Sequence, residues 1–394
     1  MKLSAFITFT LLLLGTQCRT QQVPQITGTV TLSDTWKPVL YLVQPRSFSE
    51  IAASYSGIVI DSARIAADGS FAFSRTIAGD NAVLVELCIQ KVGSRYSNQL
   101  LDDNPLNANY MPLVIQKGER IEIAAEANNF QATFSLKQPS PENLALLHLR
   151  NIRHEAFAQQ REWLDIKGKA LDESSLLKGQ AAVLSFQQPL MAFADSCSNL
   201  LPSLVAARWV STVSDYERVP EFIFSLCQKW QGKNIDNQLV AQLCQAGNRE
   251  RLPVLIGDIM PNEALPMERG DTVLLQTLLG KKLTILDIWA SWCMPCRREN
   301  RETLVPLWTA YKSKGLQVLG YSIDSSPGAW KAAIAKDGAA WPHASHLSGD
   351  ATPFLETLRI STIPANFILD AQGEIIAKNL HGDELKAFVE NYMK

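Results

Sequence analysis

The sequence predicts a multi-domain protein: an N-terminal antiparallel β-sandwich or barrel, a helical middle region, and a C-terminal α/β unit around a mixed sheet. Three observations lead there. The chain has 394 residues, more than one core usually holds. Short apolar runs with Gly and Asp turns give way to long stretches poor in Gly and Pro, and then to strand–helix alternation. Finally, 46% of residues are hydrophobic, enough for packed cores and too many for wholesale disorder. The charges nearly balance, 37 basic against 39 acidic, so no electrostatic footprint points to nucleic acid.

The chain opens with Met1-Lys2-Leu3 and an apolar run to Leu14 broken by Ser4, Thr8 and Thr10. One positive charge before a short apolar run reads as a secretory signal peptide over residues 1–18, and the run is too short to span a bilayer. The expected location is therefore the periplasm or cell envelope, where disulfides persist. Cys18 resembles the lipid-modified cysteine of bacterial lipoproteins, but Gly15 and Gln17 depart from that pattern. Cleavage after Cys18, with small residues at Thr16 and Cys18, fits equally, so a lipid anchor at Cys18 and a free N-terminus both stand. No later segment is apolar for long enough to span a bilayer, so membrane association would run through the N-terminus.

Residues 22–137 read as the β-rich domain. Ile26 to Leu32 alternates with period two, and Val39 to Val43 is a buried-strand candidate. Asp68-Gly69 predicts a hairpin between Ser62–Ile65 and Ser70–Phe73. Ala82 to Ile89, Pro112 to Ile115 and Ile121 to Ala125 complete the set. The segment holds no His, and its acids sit at turns, so nothing in it reads as catalytic.

Composition switches at Gln138-Pro139-Ser140-Pro141, and residues 138–248 read as a helical connector domain. Ser140 and Pro141 make an N-cap and first-turn pair. Breaks at Gly168, Gly179, Pro189, Pro202, Pro220 and Gly232 predict four to six short helices. Cys88, Cys197, Cys227 and Cys244 read as buried thiols. A bridge between Cys227 and Cys244 is the alternative, and sequence alone does not choose the pairing.

Residues 249–394 form the C-terminal unit. A strand over Lys281 to Trp289 leads into a helix running to Lys314 and stopped by Gly315. Leu316 to Ile323 is a strand, and Ser326-Pro327 caps the next helix. Thr352-Pro353 starts another helix, Asp370-Ala371-Gln372-Gly373 turns a hairpin, and Asp383 to Met393 closes as a helix.

The chemistry concentrates in Trp289-Ala290-Ser291-Trp292-Cys293-Met294-Pro295-Cys296. A thiol at the start of a helix lies over unsatisfied N–H groups, and the helix dipole favours its thiolate. A second thiol one turn on can resolve a mixed disulfide formed at the first. Pro295 fixes the first turn without sacrificing a helical hydrogen bond.

Leu286 to Arg297 resembles the active-site segment of exported thioredoxin-fold thiol–disulfide oxidoreductases of the TlpA/ResA-like family. The likeness extends over Pro253 to Tyr392 and takes in Ile256-Gly257, Pro261, the strand–helix insertion after Tyr321, and Thr362-Ile363-Pro364. The β-rich front resembles, more loosely, the amino-terminal part of multi-domain Bacteroidetes members. The resemblance implies a thioredoxin-like fold for residues 249–394 and a cis Pro364, with the Ile363 backbone free to pair with an extended substrate. It implies that Asp287, six residues before Cys293, accepts the proton of Cys296. An acid among Ile285, Leu286, Ile288 and Trp289 has its pKa raised by burial. Trp292 shields the thiols, Met294 and Pro295 tune the redox potential, and Arg297 and Arg298 read as a solvated face beside Glu299 and Glu302. The family's kinking Pro, five residues past the second Cys, is replaced here by Arg301, with Pro306 a turn and a half after Arg301.

Disulfide-containing protein substrates and a membrane thiol electron donor are the implied partners, in cytochrome c maturation or envelope thiol repair. No cofactor is expected. A closed zinc site needs four ligands, and His343 and His346 do not complete one. His148, His154, His343, His346 and His381 read as surface residues, and none sits beside the cysteines in sequence. A peroxiredoxin-type peroxidase would need Thr-x-x-Cys. The expected activity is reduction of protein disulfides through Cys293 and Cys296. The alternative is an envelope binding or scaffold protein whose N-terminal domains engage a ligand or partner, with an accessory thioredoxin-like unit. Direction, reduction potential, oligomeric state and the role of residues 22–248 are not encoded in any motif.

Overall fold

The computed structural model describes residues 24–77, 81–165, 173–233 and 237–394, with backbone alone for 162–165 and 173–178. The expected signal peptide and Cys18 lie outside the described residues.

Two four-stranded sheets build the front. One has the order β4-β1-β7-β8 and comprises β1 (Ile26–Thr31), β4 (Ser70–Ala72), β7 (Ile121–Glu126) and β8 (Ser135–Lys137). The other, β3-β2-β5-β6, comprises β2 (Trp36–Gln44), β3 (Ile58–Arg64), β5 (Val83–Lys91) and β6 (Tyr110–Ile115). Pairing is antiparallel except between β1 and β7, which run parallel. The Asp68-Gly69 turn does not close the expected hairpin. It passes the chain from β3 in one sheet to β4 in the other, because β4 pairs with β1 instead.

After the single-turn helix α1 (Phe130–Thr133) come α2 (Pro141–Asp165), α3 (Glu173–Ser196), α4 (Leu200–Val210), α5 (Pro220–Gln231) and α6 (Gln238–Ala246). The first two of these five are longer than the sequence suggested. Helix α3 runs through both Gly179 and Pro189. An interior Pro costs about 3 kcal/mol, and burial of Leu190, Phe193 and Ala194 against α2 and α4 outweighs it here. The sheets and these helices share one hydrophobic core extending to Leu252. Asn143 of α2 bonds both backbone groups of Val114 in β6, at 2.9 and 2.7 Å, and Arg208 of α4 donates to the Ile51 carbonyl at 3.0 Å.

Cys227 and Cys244, expected as buried thiols, are instead joined as a disulfide with their Cα atoms 4.9 Å apart. The short connection between α5 and α6 brings the two helices side by side, which local pattern does not reveal. Cys88 and Cys197 are free. Burial pushes the Cys88 thiol up to about 12, which makes it inert.

The C-terminal domain has a small antiparallel pair, β9 (Ala264–Pro266) with β10 (Thr272–Leu274), and a mixed five-stranded sheet. The latter comprises β11 (Leu283–Trp289), β12 (Leu316–Ser322), β13 (His343–Ala344), β14 (Ala365–Asp370) and β15 (Ile375–Lys378), ordered β13-β12-β11-β14-β15. Central β11 is parallel to β12 and antiparallel to β14. It is buried on both faces, as its continuous apolar run requires. Helices α9 (Pro327–Asp337) and α10 (Pro353–Leu358) follow β12, and α11 (Gly382–Tyr392) ends the chain. Beyond β11 the chain enters α7 (Met294–Glu299), passes a π-helical turn at Asn300–Leu304, and resumes as α8 (Val305–Tyr311). The π turn is the irregularity in the helix that lacks the expected Pro at position 301. Gly315 then ends the segment at φ 105°, a left-handed value that Gly adopts without a steric cost.

Candidate active site

Central β11 ends at Trp289 and hands the chain directly to the cysteine loop. Cys293 N–H donates to the Ala290 carbonyl at 3.1 Å, closing a tight turn. Cys293 is the N-cap of α7, and its Sγ accepts the Cys296 N–H at 3.3 Å. The cysteines form a disulfide, with Cys293 6% and Cys296 1% exposed. The helix start that directs an N–H at this sulfur would stabilise a thiolate there after reduction. Pro295 occupies the first turn and is buried, whereas Trp292 and Met294 are exposed at the rim.

Two networks hold this loop. Asp324, at the end of β12, accepts Ser291 N–H at 2.8 Å and Ser291 Oγ–H at 2.5 Å, and also bonds Ser322. Arg297 reaches back to the Ser291 carbonyl at 3.1 Å and forks onto buried Asp337 of α9, with Nη2 to Oδ1 at 2.8 Å. The solvated face expected for Arg297 is therefore replaced by a largely buried ion pair. Arg298 does pair with Glu302 on the surface at 2.8 Å.

Asp287 lies in β11 opposite Gly320 and Asn366 and is 3% exposed. Its Oδ2 is buried and has no hydrogen-bond partner. Burial, reinforced by the nearby Glu299 charge, holds its carboxyl well above the ordinary aspartate range. A buried carboxyl raised in this way is suited to exchange a proton with a neighbouring group.

Glu299 was expected on the solvated face and is instead buried. Its carboxylate accepts from His381 Nδ1 at 2.7 Å and from Gly382 N–H at 3.1 Å, at the start of α11. The signal in sequence was its spacing, three residues past Cys296 and so on the same side of the helix.

Nor is His343 at the surface. It packs under Trp289 and Trp341, with ring centroids 5.7 and 5.6 Å away, and burial pushes its imidazole down to about 4. His154 is half-buried and likewise pushed down to about 4 by burial, and His346 is half-buried against the Tyr321 hydroxyl at 2.5 Å. His148 is exposed. Among the described residues no group of three or more His, Cys, Asp or Glu is placed to hold a metal ion.

The Ile363–Pro364 peptide bond is cis, with Pro364 buried and Ile363 half-buried just before β14. No described residue takes the Ile363 N–H or carbonyl. Helix α3 of the middle region packs against α7, so the cysteine helix is flanked by the front of the chain.

Residues 256–378 match the profile described as AhpC/TSA family. The thiol-disulfide oxidoreductase ResA of Bacillus thuringiensis is 27% identical over 139 residues, covering 35% of this chain and 77% of the relative. The thiol:disulfide interchange protein DsbE of Pseudomonas fluorescens biotype C is 27% identical over 124 residues, covering 31% of this chain and 64% of the relative. Among solved structures, the thioredoxin domain of a thiol-disulfide oxidoreductase from Bacteroides vulgatus is 30% identical. That match covers 36% of this chain and 99% of the other, with a TM-score of 0.34.

Proposed function

The C-terminal domain of this chain belongs to the AhpC/TSA thioredoxin-fold family, and from that premise we propose that the protein reduces protein disulfides by dithiol exchange through Cys293 and Cys296. The observation that carries the reading is the Cys293–Cys296 disulfide at a helix start, directly after the strand that holds the buried Asp287 with its unpartnered carboxyl oxygen.

The cycle starts from the dithiol. The Cys293 thiolate attacks one sulfur of a substrate disulfide, and the other substrate sulfur leaves as a thiolate. Asp287 takes the Cys296 proton, and the Cys296 thiolate attacks Cys293 Sγ. The second substrate thiolate leaves, and the Cys293–Cys296 disulfide is the oxidised product. Two electrons have passed to the substrate, and a thiol donor restores them. A membrane thiol donor, location in the periplasm or cell envelope, and anchoring through Cys18 complete the proposal. Cytochrome c maturation or envelope thiol repair would supply the substrates. In this scheme Trp292 and the Ile363–Pro364 edge contact substrate, and Met294 and Pro295 tune the potential.

The test is reduction of insulin disulfides by the full chain under a dithiol supply. Wild type is expected to turn over, Cys293→Ser to be inactive, and Cys296→Ser to accumulate a mixed disulfide. Equal rates for wild type and Cys293→Ser would overturn the exchange reading and favour a binding or scaffold role for residues 22–248. A pair that stays oxidised in intact cells, read by thiol alkylation, would reverse the direction.

A further inference from the structure

The segment just before α5 reaches across to the cis-Pro loop of the C-terminal domain. Tyr216 and Val219 are buried in the front core, and the Tyr216 hydroxyl donates to the Ala207 carbonyl at 3.2 Å. Glu217 and Arg218, held between them, point their polar ends at the other domain. Glu217 Oε1 accepts the N–H groups of Ser361 at 2.9 Å and Thr362 at 3.0 Å, and Oε2 accepts the Ser361 hydroxyl at 2.6 Å. Arg218 donates to the Pro364 carbonyl at 3.1 Å and to Asn379 Oδ1 at 3.0 Å. One turn on, Glu221 accepts the Ile256 N–H at 3.0 Å and pairs with Lys378 at 2.6 Å.

These bonds bracket Ile363. Its two predecessors have their N–H groups taken by Glu217, and its successor has its carbonyl taken by Arg218. Burial alone would push the Glu217 carboxyl up, yet the hydrogen bonds from Ser361 and Thr362 pull it below the ordinary glutamate range, so it stays an acceptor. A backbone edge that must pair with an extended chain binds better when held in one conformation beforehand, because less ordering entropy is lost on binding.

We propose that Glu217 is a positioning residue for substrate: by fixing the Ser361 and Thr362 amides it presents the Ile363 edge, so the helical middle region takes part in recognising polypeptide disulfides. This rests on the exchange reading above. Glu217 touches no reacting atom, so its effect should fall on KM for a chain that pairs along the edge. A small disulfide that needs only the Cys293 sulfur should feel it less.

The experiment uses the full chain with insulin and with 2-hydroxyethyl disulfide as substrates. Glu217→Ala is expected to raise KM for insulin about tenfold with kcat changed less than about twofold, and to lower the insulin-to-small-disulfide ratio of kcat/KM about tenfold. Glu217→Gln should restore most of this, since its carbonyl oxygen can accept both amides and its NH2 can donate to Ser361 Oγ. An unchanged insulin KM in Glu217→Ala overturns the inference. So does an equal loss on both substrates, which marks a merely structural role, or a Gln variant as impaired as Ala. If Glu217→Ala loses its folded circular-dichroism spectrum, Glu217→Asp, shorter by one methylene, carries the same test. A wild type inert toward both disulfides overturns the exchange reading, whereas an active wild type with no Glu217 effect overturns this inference alone.

Discussion

Glu299 and His381 meet at 2.7 Å, joining the helix that carries the cysteines to the first turn of α11. The same Glu299 charge is one of the two influences that raise Asp287, so the contact with His381 and the buried acid are linked through Glu299. Replacing Glu299 by Gln removes the like charge and lowers the Asp287 pKa. The pH profile for resolution of the mixed disulfide should then shift to lower pH, read by rapid-quench alkylation. A profile that does not move would separate Glu299 from the proton-transfer step.

His381→Ala leaves the buried Glu299 carboxylate with the Gly382 N–H alone. An under-satisfied buried acceptor costs about 1–3 kcal/mol, so the denaturation midpoint should fall accordingly. A change below about 0.5 kcal/mol would mean that water replaces the imidazole without loss.

Arg297 and Asp337 form the ion pair that braces the cysteine loop, with side chains 13% and 0% exposed. Breaking one partner of a buried pair costs about 3–5 kcal/mol, while replacing both with apolar groups is often close to neutral. Arg301 also reaches Asp337 at 3.0 Å, which softens the single loss. Arg297→Met is therefore expected to cost about 2–3 kcal/mol, and Arg297→Met with Asp337→Leu to recover part of that. A double variant less stable than the sum of the two single changes would exclude this account.

The Cys227–Cys244 bridge closes a loop with a sequence separation of 17. Loop-closure entropy for that length gives about 3 kcal/mol. Cys227→Ala with Cys244→Ala should lose about that much in denaturant titration without changing exchange at Cys293, which lies in a different core. Equal midpoints for the bridged and unbridged chains would show that the loop is already restricted when unfolded.

What could be read in sequence was what is local. Cys293 and Cys296 announce themselves by spacing after an apolar strand, and Asp287 by being an acid inside one. Glu299 was hidden because Arg297, Arg298 and Glu302 make its neighbourhood read as a charged face. It is buried only when α11, 82 residues further on, lies across it. Glu217 meets Ser361 across 144 residues, a contact that no periodicity encodes. His343 gave the same kind of error, because two tryptophans on separate segments cover a residue that alone reads as polar surface. The long α3 shows the converse: Gly179 and Pro189 are breakers by propensity, and packing on both sides overrides them.

Glu86, in the front core, supplies a pH dependence unrelated to the cysteines. It is 1% exposed and accepts the Ala52 N–H at 2.6 Å, and burial raises its carboxyl to about 8. Below the ordinary value of 4.5 the group is protonated in folded and unfolded chains alike, and its ionisation adds nothing. Between 4.5 and about 8 the unfolded chain has released the proton that the folded chain still holds, so stability falls as pH rises. The slope from this one group is at most about 1.4 kcal/mol per pH unit, and it levels off above the folded value. Glu86→Gln keeps an oxygen for the Ala52 N–H and has no proton to lose. Its stability should exceed that of wild type by a margin that widens from about pH 5 to about pH 8, read as the difference between denaturation midpoints. Parallel curves across that range would mean that Glu86 is ionised in the folded protein and that the Arg208 charge, rather than burial, governs it.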